Sequence, residues 1–89
     1  MEMEKFIKGT LEKLGINYKW YGLVNNYGYT IASDNYRGSI QHTLNAYGVS
    51  CDYWSLLISK HGDAFTTLTV DLEEIKENEL IGILKKYFK

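Results

Sequence analysis

The spacing of apolar residues changes at Gly15, and that change constrains the fold more than any other feature of the chain. Before it, Met3, Phe6, Ile7, Thr10, Leu11 and Leu14 recur at three- and four-residue intervals. Glu2, Glu4, Lys5, Lys8, Glu12 and Lys13 fill the gaps, so residues 2–14 read as a helix with one apolar stripe. Gly9 weakens the interior of that helix by roughly 1 kcal/mol relative to alanine, which leaves tertiary packing to hold it. Gly15 stands where such a helix takes a left-handed stop. After it, Ile16, Tyr18 and Trp20 alternate with Asn17, Lys19 and Tyr21, the two-residue period of a strand.

The strand period continues past a turn. Asn25-Asn26 supplies residues that tolerate positive φ, and Tyr27, Tyr29 and Ile31 alternate beyond it. Residues 16–24 and 27–33 are therefore expected to pair as a hairpin. Asp34 to Gly38 is a polar connection. Ser39 suits the N-cap of a short helix to Tyr47, with Ile40, Thr43, Leu44 and Tyr47 on one side and Gly48 as its stop. A second hairpin follows: Trp54, Leu56 and Ile58 alternate with Tyr53, Ser55 and Leu57, His61-Gly62-Asp63 turns the chain, and Phe65–Val70 has strand composition. Asp71, Glu74, Val70 and Ile75 form a capping box and staple for a last helix, which Asn78 interrupts or restarts as a segment over 79–88. The expected fold is α+β in the order α-ββα-ββα. It has an antiparallel sheet of about four strands in two hairpins, with three helices packed on one face.

Eighty-nine residues, 45% of them apolar, suffice for one compact domain over 1–89 without disulfides or metal. The single cysteine, Cys51, has no internal partner, which points to a reducing, cytoplasmic setting. No apolar run reaches the roughly 18–20 residues of a membrane helix, so no membrane partner is expected. The net charge of −1 argues against a duplex-binding protein and against a strongly acidic nucleic-acid mimic. Between residues 15 and 70 the charged residues are Lys19, Arg37 and Lys60 against Asp34, Asp52 and Asp63.

Chemistry-bearing motifs are sparse. His42, Cys51 and an aspartate lack any accompanying nucleophile motif, and Cys51 reads better as a small buried hydrophobe. The histidines and Cys51 match no zinc spacing. The chain is accordingly expected to be no enzyme and to hold no metal or cofactor.

The stretch from Tyr18 to Ser39 is different. It carries five of the eight tyrosines, one of the two tryptophans and the one arginine, Arg37. Tyrosine offers large, stiff contact area with a polar end. If Tyr18 and Trp20 face the core, Tyr21, Tyr27, Tyr29, Tyr36 and Arg37 form a partner-binding surface. A homodimer through the same surface is included in that expectation. Arg37, Gly38 and Ser39 at the start of the expected helix also make a candidate anion site, since helix N-termini present free N–H groups. With Tyr36 and the exposed tyrosines this gives the alternative function, binding of a nucleotide or single-stranded nucleic acid.

In length, absence of proline, lone cysteine and abundance of Tyr and Asn, the chain resembles the small inhibitor proteins of phages and bacterial mobile elements, including those that block host defence nucleases. The resemblance is one of composition and assigns no residue. It implies a small inhibitor or adaptor that docks on a larger protein.

Overall fold

The computed structural model describes residues 2–22, 26–46 and 49–89. Helix α1 spans Glu2–Lys13 and is followed by strands β1 (Lys19–Gly22), β2 (Asn26–Ala32), β3 (Tyr36–Ala46), β4 (Val49–Lys60) and β5 (Leu68–Asp71). Helix α2 (Glu77–Phe88) closes the order. The strands form one antiparallel sheet in sequence order, β1-β2-β3-β4-β5. The class is α+β, as expected. Five strands and two helices among the described residues replace the expected four and three.

Helix α1 ends as its sequence requires. Gly15 takes φ 70°. Ile16 N–H donates to Leu11 O at 2.9 Å and Gly15 N–H to Glu12 O at 3.1 Å, the two bonds of a Schellman motif. Ile16 and Leu11 are both buried, supplying the apolar contact that accompanies it.

The expected helix over 39–47 is corrected to a strand through Ala46. Ile40, Thr43 and Leu44 satisfy a helical period, but Gly38, Ile40 and His42 equally satisfy a period of two. Pairing decides between them: β3 bonds on both sides, Tyr29↔Ile40 with β2 and Ile40↔Leu56 with β4. The strand buries Ile40 and leaves Leu44 exposed. The expected turn residue Asn25 and stop residue Gly48 lie outside the described residues.

The last helix also starts later than its capping signature suggests. Asp71 ends β5, and its Oδ1 accepts Glu73 N–H at 2.9 Å in a local turn. Leu72 N–H continues the sheet by donating to Trp54 O at 3.1 Å, and Leu72 is buried. Starting a helix at Asp71 would pull Val70 and Leu72 from the core. Helix α2 instead begins at Glu77, with Glu77 and Glu79 in its first turn and Lys85 and Lys86 in its last, both favourable to the helix dipole.

The core lies on one face of the sheet. Cross-strand neighbours share a face, so the registers Tyr29↔Ile40↔Leu56↔Val70 and Ile31↔Gly38↔Ile58 define an inner face. Ile7 and Leu11 of α1 and Leu80, Leu84 and Phe88 of α2 pack onto it. Gly38 is required there: a Cβ would sit 2.7 Å from Phe88 Cζ and 2.8 Å from Ile31 Cγ1. Two bonds tie the ends of the helices down. Ser33 Oγ donates to Tyr87 O at 2.7 Å, and Lys89 Nζ donates to Leu14 O at 2.6 Å.

Candidate functional site

The opposite face of the sheet carries no helix among the described residues. Its side chains follow from the same registers. One cross-strand row is Lys19, Thr30, Ser39, Leu57 and Thr69; the next is Tyr21, Gly28, Gln41, Ser55 and Asp71. A third row holds Ala32, Arg37 and Ser59. These are mostly small hydroxyl and amide residues, so the face is low and open. Asn17–Lys19 on one side and Thr66 on the other rise around it, giving a concavity of about 570 Å³.

Three local arrangements shape this concavity. Tyr21 sits opposite Gly28 and reaches across β2, bringing its hydroxyl to 3.5 Å from Ser39 Oγ. Gln41 Nε2 donates to the same Ser39 Oγ at 3.3 Å. Arg37 forms the third: its two terminal nitrogens donate to Lys60 O at 2.6 Å and Asp63 O at 2.7 Å. The guanidinium thereby clasps the turn after β4 and is itself held in place. Lys19 and Arg37 are the charged side chains among the described residues that line the concavity, and no carboxylate lines it.

The residues expected to meet a partner divide between the two faces. Tyr21 and Arg37 lie on the open face, as does Ser39. Tyr29 is 3% exposed and belongs to the core. Tyr27 is half-buried beside it, and both hydroxyls donate to Glu4 of α1, Tyr27 to Oε1 at 3.2 Å and Tyr29 to Oε2 at 3.0 Å. Tyr36 is half-buried with its ring edge against Tyr87, centroids 4.9 Å apart. Gly38 is closed beneath Phe88, and no helix begins at Ser39, so the helix-N-terminal anion site that would join Arg37, Gly38 and Ser39 is not formed. Tyr18, expected in the core, is half-buried with its ring edge on Tyr29 at 5.3 Å. Trp20, also expected there, is 65% exposed. It has inner-face register opposite Tyr29, but β1 is an edge strand, and the ring folds over Gly22 instead.

The Glu4 cluster sets the ionisation of the inner tyrosines. Burial alone would raise the Glu4 carboxyl. Hydrogen bonds from Tyr29, Lys8 and Tyr27 outweigh it and hold the group below its ordinary 4.5. Burial, with Glu4 adding to it, pushes the Tyr27 and Tyr29 phenols above the ordinary 10.0. Lys8 completes the cluster, 3.3 Å from Glu4 Oε2 and 5.2 Å over the Tyr29 ring.

His42 and Trp54 occupy the inner face near the end of the sheet. Their rings stack at 4.4 Å and 2°, with Tyr27 edge-on to both. His42 pairs through Nε2 with Asp52 Oδ1, while His42 Nδ1 and Trp54 Nε1 have no hydrogen-bond partner among the described residues. Cys51 lies in β4, and its side chain is outside the described residues.

Sequence reasoning missed Thr30, Leu57, Ser59 and Thr66 of the concavity. The signal was present as small polar residues alternating with apolar ones in residues 28–32 and 37–43, but it marks any solvated strand face. Comparison of the chain with known protein families, with curated proteins and with solved structures finds no significant match.

Proposed function

We propose that this chain is a non-catalytic recognition domain, a small inhibitor or adaptor that docks on a larger protein through the open face of its sheet. One observation supports the reading above the rest: both helices cover the same face, leaving a concave surface of about 570 Å³ on the other. Sheets built this way commonly leave their second face to solvent, and the concavity here makes that face a shaped one. Tyr21 and Leu57 give it contact area, and Ser39, Gln41, Ser59 and Thr66 give it hydrogen-bonding groups. Exposed Tyr53 and Phe65 extend the apolar area along its margins, Tyr53 from β4 and Phe65 beside Thr66.

The setting we propose is cytoplasmic, on the strength of the single cysteine. No helix among the described residues is long and apolar enough to cross a membrane. An origin in a phage or mobile element rests on composition alone. Nucleotide or single-stranded nucleic acid recognition is the second reading; it draws on Lys19 and Arg37, with Tyr18 as the aromatic side chain lining the concavity.

The test is affinity capture from a native extract with the tagged chain, read by mass spectrometry. Thr30 is exposed at the floor of the concavity, and Thr30→Trp would obstruct it without touching the core. The captured protein should be lost with Thr30→Trp and kept with Trp20→Ala. Capture undiminished by Thr30→Trp would exclude this face.

A further inference from the structure

We infer that the open face takes an extended acidic peptide segment, with two carboxylates spaced to meet Lys19 and Arg37. This rests on the reading of that face as a protein-docking surface and names the chemistry of the partner.

Charge carries the first step. The chain as a whole has a net charge of −1, yet its concavity is lined by two cations and no carboxylate among the described residues. Arg37 is a fixed cation because Lys60 O and Asp63 O hold two of its donors, at 2.6 and 2.7 Å. A guanidinium has five N–H groups, so three remain to meet an incoming oxygen. Lys19 reaches the same surface from β1, opposite Thr30.

Spacing carries the second step. Lys19 on β1 and Arg37 on β3 are separated by two strand intervals of about 4.8 Å and one two-residue step of about 7 Å, which places their Cα atoms about 12 Å apart. The Arg37 guanidinium is held toward Lys60 O and Asp63 O on the β4 side, away from β1, so the two charges do not converge on one small anion. An extended peptide advances about 3.3 Å per residue with side chains alternating in direction, so acidic side chains four positions apart share one side and span about 13 Å, enough to meet both.

The floor carries the third. Thr30, Ala32, Ser39 and Ser59 are small, which lets a peptide backbone approach the sheet, and the hydroxyls of Thr30, Ser39 and Ser59 can bond its amides. Tyr18 is the aromatic side chain lining the concavity, whereas a single-stranded nucleic acid needs a series of rings on which to stack. Tyr27 and Tyr29 are on the other face, and Tyr21, Tyr53 and Phe65 stand outside the residues that line the concavity.

The test is a titration of the isotope-labelled chain, followed by amide and methyl chemical shifts. The probes are short Ser/Thr peptides carrying two glutamates four positions apart, the same peptides with glutamines, and oligothymidylate. The acidic peptides should move signals of Lys19, Thr30, Ser39 and Leu57. The glutamine forms should bind at least about tenfold more weakly, Lys19→Glu should weaken the acidic peptides by a similar factor, and added salt should weaken them further. Equal binding of the glutamine forms, no shifts at these residues with any acidic peptide, or preferential binding of oligothymidylate would each overturn the inference. If the acidic peptides fail while Thr30→Trp still removes the captured protein, the face remains a docking surface and only its acidic partner is refuted.

Discussion

Tyr29 donates its hydroxyl to Glu4 Oε2 at 3.0 Å, and this bond satisfies the phenol on the inward side of the tyrosine-rich hairpin. Glu4 also accepts from Tyr27 and pairs with Lys8. One carboxylate of α1 thus satisfies two phenols that would otherwise be stranded against the core. Tyr29→Phe should cost about 1.5–3 kcal/mol, because it removes a hydrogen bond to a charged acceptor. Denaturant unfolding monitored by circular dichroism checks the value.

The same cluster sets a pH dependence. Glu4 is held below 4.5 in the folded chain, so its contribution is full above that value and is lost as pH falls through the lowered folded value. The stability gap between the native chain and Glu4→Gln should therefore close as the medium is acidified below pH 4.5. At the alkaline end the sign reverses. Tyr27 and Tyr29 are held above 10.0, so their contribution is present below pH 10 and is lost as pH rises through the raised folded values. Tyr29→Phe should lose less stability than the native chain above pH 10. Denaturant midpoints across both ranges measure these differences.

The two tryptophans should behave oppositely. Trp54 is fully buried and stacked on His42, so Trp54→Ala is expected to cost about 3–5 kcal/mol. Trp20 is 65% exposed on an edge strand, and Trp20→Ala should cost under about 1 kcal/mol. Equal losses in thermal or denaturant unfolding would place Trp20 in the core after all.

Gly38→Ala should destabilise by about 1–3 kcal/mol through overpacking. The added methyl meets Phe88 Cζ at 2.7 Å and Ile31 Cγ1 at 2.8 Å. Phe88→Leu withdraws the ring, so the double variant should lose less than the sum of the two single losses. A double-mutant cycle reads that coupling directly.

Arg37→Ala should loosen the turn after β4, since Asp63 O loses its guanidinium donor and Lys60 O is left with the Asp63 N–H at 3.1 Å. Hydrogen exchange should quicken over residues 61–67 while β2 is unchanged. Arg37→Lys should not restore protection, because an ammonium cannot reproduce the two-nitrogen fork.

How much of this was legible in the sequence varied with how many physical signals agreed. Helix α1 and its Gly15 stop were legible because period, charge placement and stop residue all agreed. The Trp54, Leu56, Ile58 alternation of β4 was legible for the same reason. Residues 39–46 were not, since Ile40, Thr43 and Leu44 fit both periods and only pairing with β2 and β4 settles the matter. Tyr27 and Tyr29 were placed outward because a strand's two faces differ by a one-residue shift. Their face follows from register, Tyr29 opposite buried Ile40 and in phase with buried Ile31, and the carboxylate that accepts both phenols there, Glu4, is more than twenty residues away and announced by no local pattern. The open face was hardest to find: Thr30, Ser39 and Ser59 matter for being small and aligned across strands, and alignment exists only once the sheet is assembled.

The claim that recognition uses the open face is tested most directly by methyl cross-saturation in the complex with a captured protein. Thr30, Leu57 and Thr66 report on the open face, and Ile81 and Ile83 report on α2. The account predicts that the Thr30, Leu57 and Thr66 methyl signals lose intensity while those of Ile81 and Ile83 keep theirs. Saturation confined to Ile81 and Ile83 would contradict it.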